Sequence, residues 1–368
     1  MEKMKIRDAC NILNGFAFKS ENYTNSGIRI IRIANVQKGF IEDTMPVFYP
    51  LNSEGLDKYM LEEGDLLISL TGNVGRVALL EKELLPAALN QRVACLRLKT
   101  DKISKRYLFH ILNSNYFEQQ CMQSSKGVAQ KNMSTEWLKD YGIPLYSVER
   151  QAEIISVLDR TELIIAYRKK ELQKLDELIK ARFIEMFVAT NVASEWPYCT
   201  IADISNEMRT GPFGSALHHD EFVDSGVFVL GIDNAVENRF SYNRMRYITE
   251  EKYQQLKRYT VHPGDVIITI MGTVGRSAVI PADMPKAINT KHLACITPNV
   301  KMVNAQFLSC AFQIHPGIRT QLQNQSKGAI MDGLNLTIIK GLAFRIPPIN
   351  LQNQFVEFYE QIDKSKVA

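Results

Sequence analysis

No stretch of this chain approaches the roughly 18 uninterrupted apolar residues of a membrane-spanning helix. The opening Met1-Glu2-Lys3-Met4-Lys5 leads into no apolar secretory core. Cysteine is sparse, and Cys10, Cys95, Cys121, Cys199, Cys295 and Cys310 form no Cys-x-x-Cys pair. They read as reduced thiols of a cytoplasmic protein rather than a disulfide framework. Of six histidines only His218 and His219 are adjacent, and that pair reads as exposed loop rather than a metal site. An excess of one charge is lacking too: 44 Lys+Arg against 40 Asp+Glu leave +4 over 368 residues. That excludes a histone-like polycation and little else. With 45% hydrophobic and 23% charged residues the composition is globular, and the length suits two or three domains.

Catalytic signatures are missing as well. Gly72-Asn73-Val74-Gly75-Arg76 has neither the spacing nor the Lys-Ser/Thr of a phosphate loop. The Pro347-Pro348 pair follows Ile346, without the Asn or Asp of an amino-methyltransferase motif. No serine elbow or His-Glu-x-x-His occurs.

What the chain does contain is a second copy of itself. Gly64-Asp65-Leu66-Leu67-Ile68-Ser69-Leu70-Thr71-Gly72-Asn73-Val74-Gly75-Arg76 returns 200 residues later as Gly264-Asp265-Val266-Ile267-Ile268-Thr269-Ile270-Met271-Gly272-Thr273-Val274-Gly275-Arg276, with seven of thirteen positions identical. Ser26-Gly27, Ala94-Cys95, Ser125-Lys126-Gly127 and Ile143-Pro144 recur at offsets of 199, 200, 201 and 203. A slow, ordered drift is what two diverged copies with small loop insertions produce. In each copy, β-branched runs bounded by glycine predict strands, over 28–34 and 65–70 in the first. Residues 105–123 have helical spacing, and Ser147 and Asn350 offer helix N-caps. Cys95 and Cys295 sit inside apolar strands and read as core.

Residues 149–187 are of another kind, with no Gly or Pro and a heptad of apolar positions at Leu158, Ile165, Leu172, Ile179 and Met186. The d positions are mixed: Ile154 and Leu175 are apolar, Thr161, Arg168 and Arg182 are not. The pattern predicts one long helix that packs along a single seam, about 58 Å if continuous, and so a spacer arm. Phe355, Phe358, Tyr359 and Ile362 begin a second such face, which stops at Ala368 and looks truncated. The expected division is a first domain over 1–147, the spacer helix over 148–187, a second domain over 188–349 and the start of a distal helix over 350–368. These segments carry +3, 0, +2 and −1, so the positive excess lies in the two globular copies.

Two copies on a rigid spacer suit a bivalent binder better than one active site. The repeated loops are where its chemistry would sit. Gly72, Asn73 and Arg76, with Gly272, Thr273 and Arg276, fit either a close approach to a ligand by backbone and guanidinium or a hairpin turn with a solvated arginine. Asn90, Gln91 and Arg92 align with the Asn289-Thr290-Lys291-His292 cluster. These are side chains that read base edges, or polar strand starts at the surface. Lys126 and Lys327 suit phosphates or the last turn of a helix before a capping glycine. Gln130 and Lys131 are polar enough to reach a groove, and Phe213 and Ser215 lie in a compact Gly-Pro-Phe-Gly-Ser loop.

Together these elements resemble the specificity subunit of type I restriction–modification enzymes. The resemblance is carried by Ser26-Gly27-Ile28-Arg29-Ile30-Ile31-Arg32-Ile33-Ala34-Asn35-Val36, the two Gly-Asp segments, Ile143-Pro144-Leu145, Glu149-Arg150-Gln151-Ala152-Glu153-Ile154, Gly211-Pro212-Phe213-Gly214-Ser215-Ala216-Leu217 and Gln361-Ile362-Asp363-Lys364-Ser365-Lys366. It spans essentially the whole chain in repeat order. It implies an α/β (α+β) protein of two target recognition domains, separated by long helices that pack as an antiparallel coiled coil. Each domain would read half of a bipartite site on double-stranded DNA. The helices, through Leu158, Ile165, Leu172, Leu175, Ile179, Met186, Phe355, Phe358 and Ile362, would set the spacer and dock two modification (methyltransferase) subunits. The resemblance also implies that this chain is non-catalytic and binds no cofactor or metal itself. S-adenosylmethionine, ATP and Mg would belong to those partners and to restriction (translocase/nuclease) subunits. A repeat scaffold for a non-DNA ligand and a motif-diverged methyltransferase or nuclease are the alternatives.

Overall fold

The computed structural model describes residues 2–125, 132–213, 216–326 and 334–366. By internal contacts the chain forms two units, Met1–Tyr167 and Arg168–Ala368. In the first, the apolar run after Asp65 becomes strand Leu66–Ser69, every residue of it buried. It lies between Val93–Leu98 and Val77–Leu79 in an antiparallel sheet completed by Cys10–Asn14. A smaller sheet sets Ile28–Ile31 parallel to Ala87–Leu89 and antiparallel to Phe48–Tyr49. The expected strand over 28–34 stops early because Asn35 Oδ1 accepts from Arg32 N at 2.9 Å and folds the backbone into a turn.

The second unit repeats this with its own register intact. Leu67 faces Cys95, and Ile267 faces Cys295. Ser205–Thr210, Leu293–Pro298, Val266–Thr269 and Ser277–Val279 form its larger sheet. The smaller gains a fourth strand, Thr260–Val261. Burial, the largest effect on both matched thiols, pushes them well up, as suits core residues.

The helical stretch over 105–123 is two helices, Lys105–Leu112 and Asn115–Ser124. Ser114 divides it: its Oγ donates to Ile111 O at 2.6 Å and accepts from Phe117 N at 3.1 Å, closing one helix and capping the next. The long helix runs from Val148 to Phe187, and Ser147 Oγ accepts from Arg150 N at 3.3 Å. The distal helix, Ile349–Ser365, starts one residue before Asn350. Pro348, not Asn350, is its N-cap, and the Pro348 carbonyl takes up the Leu351 and Gln352 amides at 3.0 and 3.2 Å.

A buried glutamine ties each of these helices to its unit. Gln151 Oε1 accepts from Ser104 N at 2.9 Å while Nε2 donates to the Lys102 and Tyr146 carbonyls at 2.7 and 2.9 Å. Gln352 does the same 201 residues on, with Asn304 N, Met302 O and Pro347 O at 2.9, 2.9 and 2.8 Å. In the first unit an ionic cluster adds to this: Arg106 bridges Asp159 and Glu162 at 2.7 and 2.8 Å, and His110 Nε2 lies 2.7 Å from Asp159. Burial raises the Asp159 carboxyl, but its hydrogen bonds to Arg106 and His110, with their charges, outweigh this and hold it low.

In the second unit the distal helix lies antiparallel on the C-terminal half of the long helix. Phe355 meets Phe183 and Phe187 at ring centroids of 5.3 and 5.5 Å, while Lys366, about three turns further on, pairs with Asp176 at 2.6 Å. Phe307 completes the cluster, 5.6 Å from Phe183 and 4.9 Å from Phe187. Of the heptad positions, Ile179 is buried, Leu172, Leu175 and Met186 are half-buried, and Leu158 and Ile165 are exposed; Phe355 is buried, Phe358 and Ile362 half-buried. Phe183 and Phe187, off the heptad, carry most of the contact. Among the described residues no helix is long and apolar enough to cross a membrane.

Replacing either glutamine by alanine leaves one amide and two carbonyls without their partner, at about 3 kcal/mol in all. Urea unfolding of Gln151→Ala and Gln352→Ala is expected to show losses of that size, and a loss within error for both would dismiss the anchors.

Candidate nucleic-acid interface

The Ser69/Thr269 exchange in the repeated segment has a direct physical reading. Ser69 Oγ donates to Asn73 O at 2.5 Å and accepts from Arg76 N at 3.0 Å. Thr269 Oγ1 bonds the same two loop positions, Thr273 O and Arg276 N. A buried hydroxyl therefore closes each loop from inside. The glycines supply backbone only they adopt readily: φ is 69° at Gly72, 81° at Gly75, 72° at Gly272 and 82° at Gly275. Gly72, Asn73, Gly272, Thr273 and Arg276 are exposed, whereas Arg76 is half-buried and donates to Gln37 Oε1.

Strand pairing sets a second segment beside each loop. Leu70 N donates to Arg92 O and Ile270 N to His292 O, both at 3.0 Å. This brings Gly72, Asn73 and Arg76 together with Asn90, Gln91 and Arg92, and Gly272, Thr273 and Arg276 together with Lys291 and His292. Gln91, Arg92 and Lys291 are exposed. The matched bonds pair Arg92 with His292, Gln91 with Lys291 and Asn90 with Thr290, so Asn289 stands where the first unit has Leu89. Asn289 is correspondingly buried, not a surface reader. Its Nδ2 donates to Leu293 O at 2.9 Å, and among the described residues its Oδ1 is unpartnered.

Two further segments close on the same end of each unit. Gly15 and Gly211 press against the backbone of Asn90 and of Asn289–Thr290, where any Cβ would overlap it. Phe213, just beyond Gly211, is exposed. The turn after the first strand of the small sheet enters from the other side: Asn90 N donates to Ile31 O, and Thr290 N to Leu230 O. Ile33 and Ile232 then lie against Gly72 and Gly272. Lys126, Gln130, Lys131, Ser215 and Lys327 lie outside the described residues. Asn132 forms a bridge with Thr71, and Leu334 N donates to Ile270 O at 2.8 Å.

The two platforms differ electrostatically. Arg92 in the first is matched by His292, whose imidazole burial, then Lys291 and Arg246, hold toward the neutral form. Among the described residues, His110, Asp159 and Glu162 are the one group of possible metal ligands; it lies at the long helix and is engaged by Arg106.

The chain matches the family described as type I restriction modification DNA specificity domain over residues 1–177 and again over 194–368, and belongs to that family. It is 26% identical over 387 residues to the specificity subunit of the type I restriction enzyme EcoBI from Escherichia coli, covering 98% of this chain and 78% of that one. It is 28% identical over 186 residues to the MjaVIII specificity subunit of Methanocaldococcus jannaschii, about half of this chain and 43% of that one. In fold it is similar to the S subunit of a type I system from M. genitalium, with a TM-score of 0.57 at 15% identity over 99% of this chain and 90% of that one.

Gly75→Ala combines positive φ with a Cβ driven into Cys121, whereas Gly275→Ala meets Leu322 Cδ1 at an ordinary 3.4 Å. Both should lose about 1 kcal/mol to backbone strain, and Gly75→Ala more, as read by thermal unfolding; equal losses would contradict the packing difference. His292, and His315 packed against Phe183 and Phe344, are both held below the ordinary imidazole value, by burial first. The unfolded chain then binds their protons more readily, so stability is full above about pH 6.5 and declines as pH falls below it. Urea midpoints at pH 7.5 and 5.5 should differ in that direction, and His315→Gln should shrink the difference.

Proposed function

We propose that this chain is the DNA-recognition component of a type I restriction–modification assembly and carries no catalytic chemistry of its own. The observation that carries the reading is the platform built twice. In each unit a hydroxyl-closed glycine loop, a polar turn, a glycine-led segment and the turn after the small sheet's first strand converge at one end. Each platform would meet one half of a bipartite duplex site. Asn73, Gln91, Arg92, Thr273, Arg276 and Lys291 are exposed there and are of the types that contact phosphates and base edges. The proposed domain limits are 1–147 and 188–349, with the long and distal helices setting the distance between half-sites.

Two modification subunits would dock along these helices, and restriction subunits would join them. S-adenosylmethionine, ATP and Mg would be bound by those partners, and adenine flipped and methylated there. Leu158 and Ile165, exposed on the long helix, suit such docking. The name of one structural relative refers to complex assembly and conformational transition of a type I system. A cytoplasmic location follows from the same reading.

Replacing residues 1–147 by the corresponding segment of a relative should change one half of the methylated sequence and leave the other, as read by methylome sequencing of cells that carry the modification subunits. A change in both halves at once would defeat the proposal. Arg92→Ala and Lys291→Ala should each weaken binding of the assembled complex and, if they hold phosphates, lower the slope of log K against log salt by about 0.9.

A further inference from the structure

Some positions that the repeat leaves unmatched in sequence are matched in space. The turn after the small sheet's first strand is the same in both units. Arg32 N donates to Asn35 Oδ1 at 2.9 Å and Gly231 N to Asn234 Oδ1 at 2.8 Å, while each asparagine's Nδ2 reaches a carbonyl seven residues on. Arg32 therefore corresponds to Gly231. The facing strand gives the other half of the correspondence: Ile30 N donates to Val47 O and Val229 N to Arg246 O, so Val47 corresponds to Arg246. The arginine has moved to the facing strand, and Gly231 and Val47 occupy the two positions without it. In the second unit the Arg246 guanidinium lies over Gly231, in the space that a side chain at 231 would need.

Each unit thus carries an arginine at this turn, reached from facing strands. Arg32 Nη2 is held by Met45 O at 2.9 Å, and its buried Nε has no partner among the described residues. Arg246 is held by Asp233 and acts electrostatically on His292. What recurs is an arginine at this turn after the residue has moved, held by a backbone carbonyl in the first unit and by a carboxylate in the second. With one edge of each fork already held by protein, a single anionic oxygen suits the remaining donors better than bidentate reading of a base.

We propose that Arg32 and Arg246 are equivalent phosphate-contacting groups, each gripping the backbone of the half-site met by its own unit. This rests on the DNA-recognition reading above. The test uses the chain co-expressed with its modification subunits and a duplex carrying the methylated sequence. Arg32→Ala and Arg246→Ala should each weaken binding about ten-fold and lower the salt slope by about 0.9, with the preferred sequence unchanged. Arg32→Lys should retain most of the slope. The decisive variant rebuilds the second unit's arrangement in the first: Arg32→Gly alone should lose affinity, and Arg32→Gly with Ala34→Asp and Val47→Arg should recover it. Thermal midpoints identify any variant that merely fails to fold. Unchanged affinity and slope in both alanine variants would overturn the inference and leave the function standing. Lost affinity with altered sequence preference and an unchanged slope would replace phosphate by base contact and overturn it too. Failure of the unaltered complex to prefer any duplex would sink both.

Discussion

The direction in which the long helix and the distal helix start depends, in each unit, on one buried amide side chain. Gln151 and Gln352 take up the backbone groups around Ser104 and Asn304, where the chain turns from sheet to helix, and hold them to the first turn of the helix that follows. Both are essentially inaccessible, so leaving any of these bonds unmade would cost free energy with no water to compensate. Hydrophobic contact alone would let an amphipathic helix roll or slide along its groove. Three directed bonds do not. They fix each helix at its first turn, where it meets the rest of its unit.

A second theme is that the two halves share positions in space more faithfully than residues in sequence. Buried Asp65 and Asp265 each receive an arginine, but Arg97 comes from the strand where the second unit has Thr297, and Arg209 from a different strand. Each guanidinium also reaches the same carbonyl, Met60 O or Thr260 O. The exchange of Arg32 for Arg246 follows the same pattern at the other end of the unit. A charge buried beside a carboxylate, or offered to an anion, is set by where its atoms lie and not by which Cα bears it. In these duplicated units the arginine partner of the buried aspartate has changed strand and the ion pair has been kept.

The repeat, the buried central strands, the core cysteines and the long helix were legible in the sequence, because each depends on periodicity or on ordered self-similarity. The glycine loops were visible too, though only as two competing readings. The structure shows the turn: hydroxyls from Ser69 and Thr269 close it and Asn73 and Thr273 are presented at the tip, but only Arg276 is solvated, Arg76 being half-buried against Gln37. Asn289 was misread as a surface group because an asparagine beside Thr290 and Lys291 looks polar in one dimension. Register alone places it in the core. The break at Ser114 and the start of the distal helix at Ile349 were missed for a similar reason, since local capping by Ser114 and Pro348 overrides a helical pattern that runs past it.

By itself the sequence determined that this protein is two related α/β units with a long polar helix between them, and it determined the family. Burial periodicity and ordered repetition are one-dimensional properties, and they survive substitution of most residues. Only the tertiary structure decided which side chains share a platform and which glutamines hold the rods. Only there does the arginine at 32 find its equal at 246. Those facts depend on hydrogen-bond register and on which strand faces which, and no spacing along the chain encodes them.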